Sequence, residues 1–134
     1  MRIERTLLSP TVSIELCIII LSNLKSKISN MYCLIYHFEV KPEKTKEFEA
    51  AWAGLTKLIY EYEGSLGSCL HIDENGNYIA YAQWPSKDVF DNAGNNMPAE
   101  ADLFRKAMRE SCIEIKTVFK LESQYDLLQS EPFV

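Results

Sequence analysis

Three side chains in this sequence could take part in small-molecule chemistry: His71, Tyr36 and Trp84. A histidine, with an ordinary pKa of about 6.5, is a suitable general base near neutral pH. A tyrosine hydroxyl can donate a hydrogen bond to a substrate oxygen, and an indole can form the wall of a pocket. Each residue also has a purely structural explanation, as a histidine near a sheet edge, a strand tyrosine bonded to backbone, or a core tryptophan. The choice depends on the elements that position them.

The segment "SLGSCLHIDENGNYIAYAQW" predicts a β-hairpin with its turn at Asn75-Gly76. If the loop is symmetric, residues directly opposite each other share a face of the sheet. One face then carries small residues between one histidine and one tryptophan: His71, Cys69, Gly67, Ala80, Ala82 and Trp84. The small residues leave a volume that either a ligand or a helix side chain such as Trp52 or Phe90 must fill. A bulge of one residue would reverse this arrangement.

The candidate site residues fall into two groups. We expect His71 to be the base and Tyr36 the hydrogen-bond donor. The substrate-binding candidates surround the predicted cavity: Trp84, Trp52, Ala80, Ala82, Phe90 and Asn92. Asn92 follows a short helix and could reach the pocket mouth, although loop asparagines more often serve the turn itself. Glu61 and Glu63 are expected to be solvated charges at a helix end.

No metal site is expected from the cysteines or histidines. The four cysteines stand at positions 17, 33, 69 and 112 without metal-ligand spacing, and the chain has only two histidines. Isolated cysteines of this kind are typical of free thiols in a reducing compartment, so we expect a cytoplasmic protein.

The elements that must hold these residues follow the order β-α-β-β-α-β. "MYCLIYHFEV" and "IEIKTVFKLE" alternate as strands do, and Pro42 begins an amphipathic helix that Gly64 ends. Gly54, inside that helix, predicts a close contact because glycine weakens a helix interior. The second helical region falls into two pieces, which begin near Ser86 and Pro98. The pattern predicts an α+β fold of the ferredoxin-like type, with helices over one face of a four-stranded antiparallel sheet.

The other face of this sheet is expected to be too apolar to remain in water. With the predicted registers it carries Ile35, Leu70, Ile72, Ile79, Tyr81 and Val118. An exposed patch of that size indicates a partner surface. A homodimer that buries sheet against sheet is the simplest solution, with two-fold symmetry.

Length and charge limit the remaining possibilities. The 134 residues suffice for one domain, which we place at residues 31–122, between an N-terminal extension at 1–30 and a tail at 123–134. The extension has an apolar run too short to span a membrane and no clear signal-peptide pattern. The net charge of −5 argues against nucleic acid, and no polybasic segment would bind an anionic membrane.

Residues from about Met31 to Leu121 resemble the antibiotic biosynthesis monooxygenase (ABM) family of dimeric α+β barrel proteins. The resemblance rests on "FEVKPEKTKEFEAAW", on "GSLGSCLHIDENGNYIAYAQWPS" and on the final alternating strand. It implies ferredoxin-like subunits joined through their sheets, each with a pocket between sheet and helices. The Trp84 position matches a tryptophan that the family commonly has at this strand end.

The resemblance also implies a type of chemistry. Family members include oxygenases that use no metal, flavin or haem, because a deprotonated phenol or quinol itself reduces O₂. A haem-degrading branch is disfavoured, since Tyr36 stands where that branch has an asparagine and no histidine lies near Gly94. We therefore expect a cofactor-independent monooxygenase for an aromatic or quinol-like molecule. The alternative is a non-catalytic module of the same fold that binds a hydrophobic ligand or only dimerises.

Overall fold

The computed structural model of the chain describes residues 31–133. The expected N-terminal extension lies outside the described residues. The chain divides into two units, and Asn30–Ser123 forms the one that contains every described helix and strand. The described part of the other unit, residues 124–133, contains no helix or strand. None of the described helices is both long enough and apolar enough to cross a bilayer.

Within residues 31–133, four strands and three helices follow the predicted order. The strands are β1 (Tyr32–Val40), β2 (Ser68–Ile72), β3 (Tyr78–Trp84) and β4 (Cys112–Glu122). The helices are α1 (Thr45–Glu63), α2 (Lys87–Asp91) and α3 (Ala101–Ser111), with a 3₁₀ turn at Pro42–Lys44 before α1. The strands form one antiparallel sheet in the order β2-β3-β1-β4. The predicted α+β, ferredoxin-like fold is confirmed.

Local signals in the sequence explain where the helices begin and end. Pro42 lies in the first turn before α1, where its missing N–H costs no hydrogen bond. Gly64 ends α1 with a positive φ of 81°, which glycine adopts without steric cost. Ser86 caps α2, because its side chain accepts a hydrogen bond from the Val89 N–H at 3.2 Å.

The core lies between the helices and one face of the sheet, which we call the helix face. Phe48 and Ala51 of α1 are buried against Phe38 of β1 and against Tyr78 and Ala80 of β3. A second cluster joins Tyr32, Leu34 and Trp84 at the other end of the same face. Even-numbered residues of β1 and β3 therefore face the helices, as the alternation predicts.

The predicted register of the β2–β3 hairpin is wrong by one residue. Ile72 pairs with Tyr78, Leu70 with Ala80 and Ser68 with Ala82. The loop has three residues, 74–76: the Gly76 N–H donates to the Asp73 carbonyl at 3.1 Å, and Gly76 has φ 82°. The Asp73 carboxylate also accepts hydrogen bonds from the Asn75 and Asn77 N–H groups at 2.9 Å. A loop with an odd number of residues moves every β2 side chain to the opposite face.

The outer face of the sheet consequently differs from the expected one. Leu70 and Ile72 lie on the helix face, paired with Ala80 and Tyr78. The β1–β4 pairing shifts register between Ile35 and Tyr36, and this irregularity places Phe119 opposite Ile35 and Leu121 opposite Cys33. Phe119 and Leu121 therefore belong to the outer face, although strict alternation predicted them on the helix face.

Glu63 is not the solvated charge that its position at a helix end predicted. The residue is 8% exposed, and its carboxylate accepts hydrogen bonds from the Gly94 N–H and from the side-chain amide of Asn96, the latter at 3.1 Å. The carboxylate thereby ties the end of α1 to the loop that follows α2.

Candidate functional site

A cavity of about 230 Å³ lies between the helix face of the sheet and α1. Its aromatic lining comes from β1, β3 and α1: Tyr36, Phe38, Trp84 and Trp52. The aliphatic lining comes from Leu55, Ile59, Ala82, Met108 and Ile115, and the segment before and into β2 adds Ser65, Gly67 and Ser68. Thr56 completes the lining from α1. This predominantly apolar wall with a few hydroxyl groups is typical of a small-molecule site.

Tyr36 is the only titratable residue among the described residues of the cavity lining. Burial, and to a lesser extent the neighbouring Tyr32, raises the pKa of the Tyr36 phenol above its usual value. The hydroxyl has no hydrogen bond to any described residue, and residues 31–133 contain no buried side-chain polar atom without a partner. The hydroxyl is therefore accessible from the cavity, protonated, and available as a donor to a ligand oxygen.

The serine hydroxyls of the lining are engaged with the backbone. Ser68 donates to the Tyr81 carbonyl at 2.9 Å. Ser65 donates to the Gln83 carbonyl at 3.3 Å and accepts from the Gly67 N–H at 2.9 Å. These bonds fix the segment that leads into β2, so the serines shape the cavity more than they offer hydrogen bonds to a ligand.

Trp84 belongs to both the core and the cavity wall. Its indole is 6% exposed and packs edge-on against Phe90, with ring centroids 5.4 Å apart. Phe90 also contacts Tyr32, at a centroid distance of 5.3 Å. The α2 helix thus supports the indole from behind, while another part of the indole lines the cavity.

Four of the eight predicted site residues line the cavity together: Tyr36, Trp52, Ala82 and Trp84. Ala80 is only 1% exposed and packs in the core beside Phe48 and Tyr78. Phe90 lies behind Trp84, and Asn92 is exposed at the C-terminal end of α2. These three residues are not part of the lining.

His71 does not share a face with Trp84, and this prediction was wrong. His71 pairs with Ile79, on the face opposite Ala80, Ala82 and Trp84. The residue is exposed and lines a separate open groove of about 680 Å³ between α1 and the edge strand β2. Lys46, Glu49 and Tyr78 line the same groove. The structure therefore separates the imidazole from the cavity.

One hydrogen bond joins two titratable groups among the described residues of the groove. The Tyr78 hydroxyl donates to the Glu49 carboxylate, and this bond, followed by burial, raises the pKa of Tyr78. The bond holds Tyr78 against α1. No group of three or more His, Cys, Asp or Glu side chains in the described part of the chain could hold a metal ion.

Sequence patterns did not single out several residues of the lining. Met108 and Ile115 reach the cavity from α3 and β4, and Ser65 from the loop before β2. The apolar stripe of α1 was the one usable signal, since Leu55 and Ile59 follow Trp52 at helical spacing. The loop residues carry no comparable periodic signal.

Comparisons with known proteins agree with this fold. The profile of the family described as "Antibiotic biosynthesis monooxygenase" matches residues 31–110. The structure of SnoaB, a cofactor-independent oxygenase from Streptomyces nogalater, aligns over 75% of this chain and 100% of its own, with 17% identity and a TM-score of 0.58. No protein with a curated description matches the chain.

Two further structures show the same fold. A protein from Caulobacter crescentus CB15, assigned to the same kind of monooxygenase, has 19% identity over 76% of this chain and 97% of its own, with a TM-score of 0.57. A conserved protein from Methanosarcina mazei Go1 has 15% identity over 76% of this chain and 99% of its own, also with a TM-score of 0.57. Because the family profile covers more than half of the sequence, the chain belongs to the antibiotic biosynthesis monooxygenase family.

Proposed function

We propose that the chain is a cofactor-independent monooxygenase that binds an electron-rich phenol or quinol in the cavity lined by Tyr36, Trp52 and Trp84. The observation that carries this proposal is the accessible Tyr36 hydroxyl inside a mostly apolar space. Family membership and the similarity to SnoaB, itself described as a cofactor-independent oxygenase, support the type of reaction.

The size of the cavity limits the substrate. A cavity of about 150 Å³ lined by aliphatic and aromatic side chains holds benzene. The present cavity, at about 230 Å³, has room for a single substituted ring or a fused pair. Larger polycyclic molecules exceed this volume unless the lining moves.

In the proposed reaction the substrate supplies all the electrons. The bound phenolate transfers an electron to O₂, and recombination of the two radicals forms a carbon–oxygen bond on the ring. Loss of the ring proton with cleavage of the O–O bond then gives a quinone and one water molecule. One oxygen atom of O₂ becomes the new carbonyl, and the other leaves in the water.

Tyr36 is proposed to stabilise the phenolate by donating a hydrogen bond to its oxygen. A hydrogen bond to the charged form lowers the pKa of the bound phenol and so raises the reactive fraction at a given pH. The apolar lining excludes water from the radical pair. No role is proposed for His71 in this cavity.

Oxygen uptake with 1-naphthol, without added cofactor, tests the proposal. We expect Tyr36→Phe to lower the rate by at least about tenfold, since charged hydrogen bonds contribute about 1.5–3 kcal/mol. Tyr32→Phe is the matched control on the same strand face, and it should retain the rate. His71→Ala, in the separate groove, should retain it as well.

Two outcomes would contradict the proposal. Equal rates in wild type and Tyr36→Phe would remove the tyrosine from the mechanism. Loss of activity in His71→Ala but not in Tyr36→Phe would assign the chemistry to the groove.

A non-catalytic binding module is the second candidate, and one observation favours it. The described lining contains no group other than Tyr36 that titrates, and a tyrosine with a raised pKa is a poor base near neutral pH. Binding of aromatic ligands without oxygen uptake, across a panel of quinols and phenols, would favour this candidate.

We also propose that two copies associate through the outer face of the sheet. The apolar residues of this face in the observed register include Ile35, Ile79, Phe119 and Leu121. Phe119 and Leu121 are 57% and 43% exposed. Burial of such side chains against a second copy is the usual outcome for an apolar sheet face.

A further inference from the structure

Trp52 is the one residue that lines both the cavity and the open groove among the described residues. Along α1 the groove is lined by Lys46, Glu49, Ala50 and Ala53, and the cavity by Leu55, Thr56 and Ile59. On the facing side the chain runs in the opposite direction: Ser65, Gly67 and Ser68 line the cavity, and Leu70–Ile72 of β2 then line the groove. The two spaces therefore follow one another along the seam between α1 and β2, and they meet at Trp52.

The indole of Trp52 is half-buried and packs against the core cluster that contains Phe48 and Tyr78. Because the indole lines both spaces, it lies where they adjoin. Ala50 and Ala53, the α1 residues of the groove wall nearest to Trp52 in sequence, have small side chains. Trp52 is therefore the α1 side chain best placed to separate the two spaces.

The two spaces differ in chemistry as well as in size. The cavity is mostly apolar, and Tyr36 is the single titratable residue of its described lining. The groove is larger, at about 680 Å³, and carries Lys46, Glu49 and His71. A ligand that extended past the indole would place its far end among these polar groups.

We propose that Trp52 determines substrate specificity by setting the maximum length of the ligand along the seam between α1 and β2. Compact phenols fit on the cavity side of the indole. Elongated phenols, with a second ring attached in line, are excluded by the indole and would be admitted into the groove if it were removed. This inference rests on the proposed function only in that the cavity binds an aromatic molecule, and it does not require turnover.

The test compares binding of a compact and an elongated phenol, 1-naphthol and 4-phenylphenol, to the full chain. Dissociation constants are measured by titration calorimetry for wild type, Trp52→Ala, Trp52→Phe and Ile59→Ala. Ile59→Ala is the matched control because it enlarges the cavity away from the groove. The chain has two tryptophans, so Trp84 is the only fluorophore of its kind in the Trp52 variants, and its quenching reports ligand in the cavity.

We expect Trp52→Ala to improve the preference for 4-phenylphenol over 1-naphthol by at least about tenfold relative to wild type, which is the range that a pocket-size change typically produces. Trp52→Phe and Ile59→Ala should change this ratio much less, because Trp52→Phe keeps an aromatic ring at the boundary and Ile59→Ala adds space on the side away from the groove. An equal gain in Ile59→Ala, or an unchanged ratio in Trp52→Ala, would overturn the inference.

Folding of each variant is checked by circular dichroism and thermal unfolding. If Trp52→Ala does not fold, Trp52→Leu replaces it in the test. Its shorter side chain should also raise the affinity for 4-phenylphenol relative to 1-naphthol, and an unchanged ratio would overturn the inference. Binding without oxygen uptake would contradict the oxygenase proposal but leave the role of Trp52 intact. Failure of wild type and variants to bind either phenol would overturn both.

Discussion

The Tyr36 hydroxyl combines two properties that the proposed chemistry needs. It is accessible from the cavity, and burial raises its pKa, so the group remains a neutral donor through the physiological range. A hydrogen bond from this hydroxyl stabilises a bound phenolate more than it stabilises the neutral phenol. In the proposed reaction the tyrosine therefore acts on the ionisation of the substrate and not as a base.

This role predicts a specific pH dependence of oxygen uptake. Burial disfavours tyrosinate, so the pKa of Tyr36 lies above its ordinary value of about 10, and the donor is lost only above that pH. Uptake should rise with pH as the bound phenol ionises, and decline only above about pH 10. In Tyr36→Phe the rising limb should move up by about one pH unit, because one unit corresponds to about 1.4 kcal/mol of lost interaction.

The profile is measured by oxygen electrode at saturating 1-naphthol, with the ionisation of bound 1-naphthol followed in parallel by its absorbance. Tyr32→Phe provides the control and should leave the rising limb in place, because Tyr32 does not line the cavity. A decline between pH 7 and 9 in wild type would show that a different titrating group controls the reaction.

The elements of the fold were largely predictable because their signals are local. Pro42, Gly64 and the Ser86 cap each act on their immediate neighbours, and the helix and strand periodicities of α1 and β1 are strong. Register was not predictable in the same way. Asn75-Gly76 indicates a turn but not its length, and the Asp73 side chain participates in a three-residue loop that reverses the faces of β2.

The β4 strand shows a second limit of the same kind. Its sequence alternates strictly, yet the irregular pairing opposite Ile35 and Tyr36 divides its apolar residues between the two faces. The faces of β1, β3 and α1 that line the cavity follow from periodicity alone. His71 was misplaced because its face depended on the loop.

Contact between α1 and α3 depends on the absence of a side chain at Gly54. A Cβ built at this position would lie 2.5 Å from two atoms of the Phe104 ring, far closer than carbon atoms pack. Gly54→Ala should therefore lower the free energy of unfolding by about 1–3 kcal/mol, because overpacking outweighs the gain of about 1 kcal/mol in helix propensity. Thermal and urea unfolding measure the change.

A double-mutant cycle with Phe104→Ala separates the two effects. In that background the ring is gone, and Gly54→Ala should become stabilising by about 0.5–1 kcal/mol. The same loss of stability in both backgrounds would mean that the Phe104 contact does not explain the glycine.

At the scale of the whole molecule, the observed register changes the composition of the proposed dimer surface but not the need for one. Leu70 and Ile72 leave the outer face, while Phe119 and Leu121 join it next to Ile35 and Cys33. The surface is therefore centred nearer to β1 and β4 than the sequence pattern indicated. A substitution intended to disrupt the dimer belongs on β4.

Phe119→Glu should convert the proposed dimer into monomers. Two-fold symmetry would bury two copies of the new carboxylate in an apolar interface. Because burial of an unpaired charge costs several kcal/mol, the dissociation constant should rise by more than about a hundredfold, which is enough to dissociate a complex of micromolar affinity. Leu103→Glu is the matched control, because Leu103 is a 70% exposed leucine on α3, in the helix layer. Sedimentation velocity across a concentration series measures both variants against wild type. If the Phe119→Glu protein remains dimeric, the association lies elsewhere on the surface. If the wild-type protein is monomeric at high micromolar concentration, the proposed association does not occur, and the apolar outer face needs a different explanation.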